Sequence, residues 1–263
     1  MNASGPLEAL LKRDRAIVAG GLALIAALAW LYLLRLAGAM SEMDMHMGMP
    51  EMHPWSVADG LLLFLMWAVM MVAMMLPSAA PMILMFTAMN RRRAEQGRPL
   101  ARTGVFVLGY VAVWTAFSAV ATAAQWTLHV GALLSPGMVS ASPVVGAGLL
   151  VAAGVFQWTP LKRACLTNCR SPLSFLMTQW REGAHGALVM GLRHGAYCVG
   201  CCWLLMALLF VAGVMNLVWV AVIAAFVLVE KALPAGDRLG RITGAILVIA
   251  GVVLIVQSWR PWS

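Results

Sequence analysis

Residues 194–206 read His-Gly-Ala-Tyr-Cys-Val-Gly-Cys-Cys-Trp-Leu-Leu-Met. On an α-helix, positions four apart share a face, so His194, Cys198, Cys202 and Met206 form one stripe with Cys201 at its margin. An imidazole, three thiols and a thioether on one wall are soft ligands suited to Cu(I), whereas a helix needing only bulk would carry Leu, Ile and Val there. The packing alternative treats Cys as a small buried hydrophobe and Gly191-x-x-x-Gly195 as a face for close helix approach.

A second set of soft ligands lies upstream. The tract from Ser41 to His53 contains Met43, Met45, His46, Met47, Met49, Met52 and His53, and fourteen of the twenty methionines fall between residues 40 and 89. Read as a polar loop with Gly48 and Pro50, the tract has no core of its own, so alternating Met cannot be a packing pattern there. Thioethers bind Cu(I) yet form no disulfides, which keeps them competent in an oxidising compartment. The two histidines extend the range to Cu(II) or Ag(I). Further on, Met66, Met70 and Met74 repeat at helical spacing, with Met71 and Met75 on an adjoining face. They read either as a ladder of thioethers for Cu(I) or as core filler.

Cys165 and Cys169, again four apart, lie among Lys162, Arg163 and Arg170. Cationic surroundings suit metal binding or thiol exchange, but two cysteines fill only half of a zinc site. With five cysteines in all, at least one thiol is free or intermolecular.

The elements that must hold these residues are membrane helices. The chain is 62% hydrophobic and 11% charged, and apolar runs of membrane-spanning length recur along it. The formal charge of +8 sits in short connections between those runs, which makes it a topology signal and argues against nucleic acid. The fold class expected is an all-α polytopic membrane protein with seven transmembrane helices at about 16–37, 57–89, 103–129, 143–160, 186–214, 217–231 and 240–258. Lys12, Arg13, Arg15, Arg91, Arg92, Arg93, Lys162, Arg163, Arg170, Arg181, Lys231, Arg238 and Arg241 then share one side. That distribution predicts the N-terminus inside and the C-terminus outside. Residues 1–37 form the N-terminal segment and first helix, read as retained rather than cleaved; 38–56 form the extracytoplasmic Met/His-rich loop, and 57–263 a six-helix membrane domain. Pro77 and Pro81 predict a broken or kinked second helix, of the kind that exposes backbone carbonyls at transporter sites.

Three blocks carry a family likeness. They are Trp67-x-x-Met70-x-x-x-Met74-Met75-x-Pro77-Ser78-x-x-Pro81-Met82, then Leu161-Lys162-x-x-Cys165-Leu166-x-x-Cys169-Arg170-Ser171-Pro172, then His194-Gly195-x-x-Cys198-x-Gly200-Cys201-Cys202-Trp203 through Gly213-x-Met215-Asn216. Together they resemble a bacterial family of predicted metal-binding integral membrane proteins of unknown function. The resemblance covers about residues 55–258 and implies a metal without supplying a reaction.

The function expected is therefore a soft-metal protein of the bacterial inner membrane that transports Cu(I) or delivers it to a membrane metalloprotein acceptor. Its partners would be the lipid bilayer, the metal ion and that acceptor. In this reading the Met/His loop captures the ion, the Met66/Met70/Met74 ladder carries it, Cys198, Cys201 and Cys202 hold it, and Cys165 and Cys169 receive it. The chain carries no P-loop, and an enzymatic role is less expected than a binding one. The alternatives are a membrane thiol-disulfide oxidoreductase, which leaves the Met-rich tract unexplained, and a haem-binding protein or assembly factor using His194.

Overall fold

The computed structural model describes residues 4–47, 56–131 and 142–259, and over these it is helical without a strand. The helices are α1 (Ser4–Met47), α2 (Val57–Glu95), α3 (Thr103–Val130), α4 (Pro143–Phe156), α5 (Pro160–Arg170), α6 (Pro172–Gln179), α7 (Gly183–Ala207), α8 (Leu209–Ala212), α9 (Leu217–Ala232) and α10 (Gly236–Trp259). Their starts follow local chemistry. Ser56 and Asp59 form a capping box at α2, the Asn216 side chain caps α9, and α4, α5 and α6 each open on proline, whose missing N–H is not needed in a first turn.

Among the described residues, five stretches are long and apolar enough to cross a membrane: Arg13–Ala39, α2, α3, Gly183–Ala212 and α10. A sixth results if α4 and α5, bent by 64° at their junction, count as one span. The seven spans expected differ from this at two places. At 16 residues α9 is about 24 Å long, short of a hydrocarbon core of about 30 Å. The fourth predicted span ends early because Gln157, Trp158 and Thr159 turn the chain before Pro160 starts α5.

Large apolar side chains such as Leu24, Val120, Val222 and Ile249 point outward, as lipid-facing residues do. Inward faces pack through small residues. A Cβ on Gly191 would lie 2.1 Å from the Phe106 carbonyl oxygen, and one on Gly109 would lie 2.5 Å from that of Leu188, so α3 and α7 approach backbone to backbone. Gly154 and Gly244 do the same for α4 and α10.

Three expectations are corrected. First, α1 continues to Met47, so the backbone of Met43, Met45, His46 and Met47 belongs to its last turns rather than to a loop beginning at residue 38; Met49, Met52 and His53 lie outside the described residues. Second, of the break or kink expected at Pro77 and Pro81 the break is absent: α2 is one continuous helix through both prolines. Each proline removes the backbone donor to the carbonyl four residues back, those of Ala73 and Pro77, while between them the Met75 carbonyl accepts from the Ser78 and Tyr110 hydroxyls at 2.9 and 3.0 Å. Third, Lys162 and Lys231 are not loop charges in water. Lys162 is 2% exposed, and Lys231 turns into the protein.

The basic ends of two helices meet. Arg91 at the end of α2 pairs with Asp14 of α1, while Arg93 and Arg98 share Glu182 at 3.6 Å each. These cations thus gather at one end of the bundle.

Candidate metal centre

The close approach of α3 to α7 buries the helix face that carries the cysteines. Cys198, Cys201 and Cys202 are wholly buried, and all five cysteines are free thiols. The Cys201 and Cys202 thiols donate to the Cys198 carbonyl at 3.1 and 3.0 Å. The sharp turn into α5 packs that helix on α7, and Cys169 is buried in the same core as the α7 cysteines. Gly200 makes room for Cys165, whose Sγ would stand 2.8 Å from a Cβ at that position. The thiol pair Cys165 and Cys169 thus lies on a helix packed directly against the α7 cysteines.

Three further helices close around it. From α2, Met75 Sδ stands 4.0 Å from Cys202 Sγ. From α3, the Tyr110 hydroxyl lies 3.1 Å from Cys198 Sγ as well as on the Met75 carbonyl. From α9, the Lys231 ammonium donates to Cys198 Sγ at 2.9 Å and to Ser78 Oγ at 3.1 Å. Among the described residues Lys231 makes no carboxylate ion pair: its partners are a sulfur and a hydroxyl.

His194, one turn before Cys198, is buried among the rings of Tyr110, Phe106 and Phe175, with centroids at 5.5, 6.2 and 5.7 Å. Among the described residues its Nδ1 has no hydrogen-bond partner. Met206 is buried two turns beyond Cys198. Met66, Met70 and Met74 are buried in the core of α2, and the α2 thioether bonded to a thiol is that of Met75.

Among the described residues, no three His, Cys, Asp or Glu side chains already converge as a metal shell. The hydrogen bonds explain this. Cys201 and Cys202 are turned back onto the Cys198 carbonyl, and Lys231 takes up the near side of Cys198. As a donor set, buried thiols with a thioether select soft monovalent copper over hard cations.

A second buried polar site adjoins the first through α9. Glu230, next to Lys231, holds the Lys162 ammonium at 2.7 and 2.9 Å, and Gln157 at the end of α4 completes the group through its side-chain oxygen. A Cβ on Gly240 would lie 2.6 Å from the Glu230 carboxylate, so α10 covers the pair only because it carries glycine there.

Lys231, Tyr110 and Ser78 were not legible as site residues from the sequence. Glu230-Lys231 ends an apolar run and so looks like a topology signal. The adjacency of opposite charges within a helix's last turn is the clue that both could turn inward.

Residues 64–254 match a family model described as PpoB2, copper chaperone, and the chain belongs to that family. No curated protein and no solved structure matches it.

Proposed function

We propose that this copper-chaperone family member takes up Cu(I) on the buried thiols and hands it by ligand exchange to an acceptor in the membrane. One observation carries the reading: the buried thiols Cys198, Cys201 and Cys202 of α7 lie beside the Met75 thioether, which is 4.0 Å from Cys202 Sγ, with Cys169 buried on the helix packed against them, and among the described residues the cation there is an ammonium without a carboxylate. Soft donors hold Cu(I) and reject hard ions. Lys231 already offers the sulfur a positive partner, so an arriving cation replaces an interaction instead of filling an uncompensated anionic hole. Its departure likewise leaves no bare charge. That balance suits a protein that must give its copper away.

The Met/His tract of residues 41–53 captures the ion first, Met75 offers it a thioether at the cluster, and His194 Nδ1 is a further donor one turn along α7. The membrane in question is the bacterial inner membrane, with the captured ion arriving from outside.

Anaerobic titration of purified protein with Cu(I) against a chromophoric competitor tests this. Wild type should bind stoichiometric copper, and Cys198→Ser with Cys202→Ser should weaken it by more than the roughly 10–100-fold that loss of an outer-shell partner costs. Full copper content in a folded double variant would return the cysteines to packing. Replacing Met43, Met45, Met47 and Met49 together with Leu should slow loading from outside while leaving the affinity of the thiol cluster unchanged.

A further inference from the structure

Four arginines that the sulfur site does not use share one recess. Arg15 near the start of α1, Arg92 and Arg93 in the last turn of α2, and Arg98 just beyond it line a hollow of ≈ 580 Å³. Its apolar wall includes Met85 and Met89, one and two turns back along α2. The charge is not balanced: among the described residues, the carboxylate paired with these arginines is Glu182, shared by Arg93 and Arg98 at 3.6 Å. Arg93 also lies 4.6 Å over the ring of Trp180.

The neighbouring Arg91–Asp14 pair ties the beginning of the first apolar span to the end of the second. The hollow therefore opens where two membrane-length helices leave the apolar layer, a level at which indole rings concentrate. A free anion would use the guanidiniums and leave the methionine wall bare. A phospholipid uses both, with phosphate oxygens on the arginine forks and glycerol and acyl carbons along the thioethers.

We propose that this recess binds the phosphate headgroup of an anionic phospholipid. The test is native mass spectrometry of the full-length protein in detergent, offered phosphatidylglycerol or phosphatidylcholine, with inorganic phosphate as competitor. Wild type should retain the anionic lipid over the zwitterionic one by on the order of tenfold, and the Arg15→Gln, Arg92→Gln, Arg98→Gln triple variant should lose that preference at an unchanged unfolding temperature. Equal retention of the two lipids, or a preference that survives the triple variant, would overturn the proposal. Displacement of phosphatidylglycerol by equimolar inorganic phosphate would also overturn it, by reducing the recess to a bare anion site. Should the triple variant fail to fold, Arg92→Gln alone is used: its exposed side chain makes no ion pair among the described residues, and its lipid preference should still fall.

Discussion

Two lysines turned into one helical bundle are held in different ways. Lys162 faces both oxygens of Glu230 and the Gln157 side chain, all hard donors and acceptors that fix α5, α9 and the end of α4 together. Lys231, carried by the residue next to Glu230, faces the sulfur of Cys198 and the hydroxyl of Ser78. The first lysine has a permanent counter-charge whose removal strands it. The second has a sulfur and a hydroxyl for partners, which under the proposed function a soft metal ion would take over. An inward-turned charge thus meets either a hard counter-charge or soft and neutral atoms, and α9 carries a member of each arrangement in the consecutive residues Glu230 and Lys231.

The largest expected effect separates them by stability. Glu230→Ala leaves Lys162 buried without a counter-charge and should cost about 3–5 kcal/mol, read from thermal unfolding in detergent. Lys162→Met combined with Glu230→Leu should recover most of that loss, since replacing a buried pair by apolar side chains is often neutral. Lys231→Met should cost far less, because the side chain is only partly buried and methionine refills its volume. Equal destabilisation by Glu230→Ala and Lys231→Met would erase the distinction.

Copper should sort the same residues in the opposite order. Cys198→Ser removes the sulfur on which Lys231 and Tyr110 meet, so affinity should fall more than for any other single thiol, while those two side chains can hydrogen-bond the serine hydroxyl and keep the fold intact. Lys231→Met removes the competing cation. It should bind Cu(I) more tightly, by roughly tenfold, and release it more slowly to a chelating acceptor, a tenfold change being about 1.4 kcal/mol. Weaker binding in this variant would make Lys231 a counter-ion that the loaded site keeps.

Much of this arrangement was visible in the residues before the fold was known. The stripe of His194, Cys198, Cys202 and Met206 follows from helical periodicity alone, and α7 buries all four. Helix existence was equally legible, since apolar runs and N-terminal prolines are local features. What sequence could not supply was the turn between α4 and α5. Gln157-Trp158-Thr159-Pro160 looks like the end of a span, yet the 64° bend lays α5, with Cys165 and Cys169, back onto α7. The inward turn of Lys231 was hidden for a related reason: a cation at the end of an apolar run has the same local pattern whether it meets water or sulfur.

The smallest effect is also the sharpest test of register on α2. Met74 and Met75 are neighbours in sequence, both buried, and the spacing of Met66, Met70 and Met74 favours the first as the metal-facing one. In the fold it is Met75 that stands 4.0 Å from Cys202 Sγ, because a one-residue step rotates a side chain by about 100° around the helix. Leucine keeps the volume of methionine and removes only the thioether, so neither substitution should cost more than about 1.5 kcal/mol of stability. Met75→Leu should nevertheless loosen Cu(I) by a few-fold, because a thioether is a weaker ligand than a thiolate, and its effect should be non-additive with Cys202→Ser if both atoms share one ion. Met70→Leu and Met74→Leu should leave affinity unchanged. A loss at Met74 rather than Met75, measured in the same titration, would mean that the copper-loaded protein uses a different face of α2 from the one turned toward Cys202.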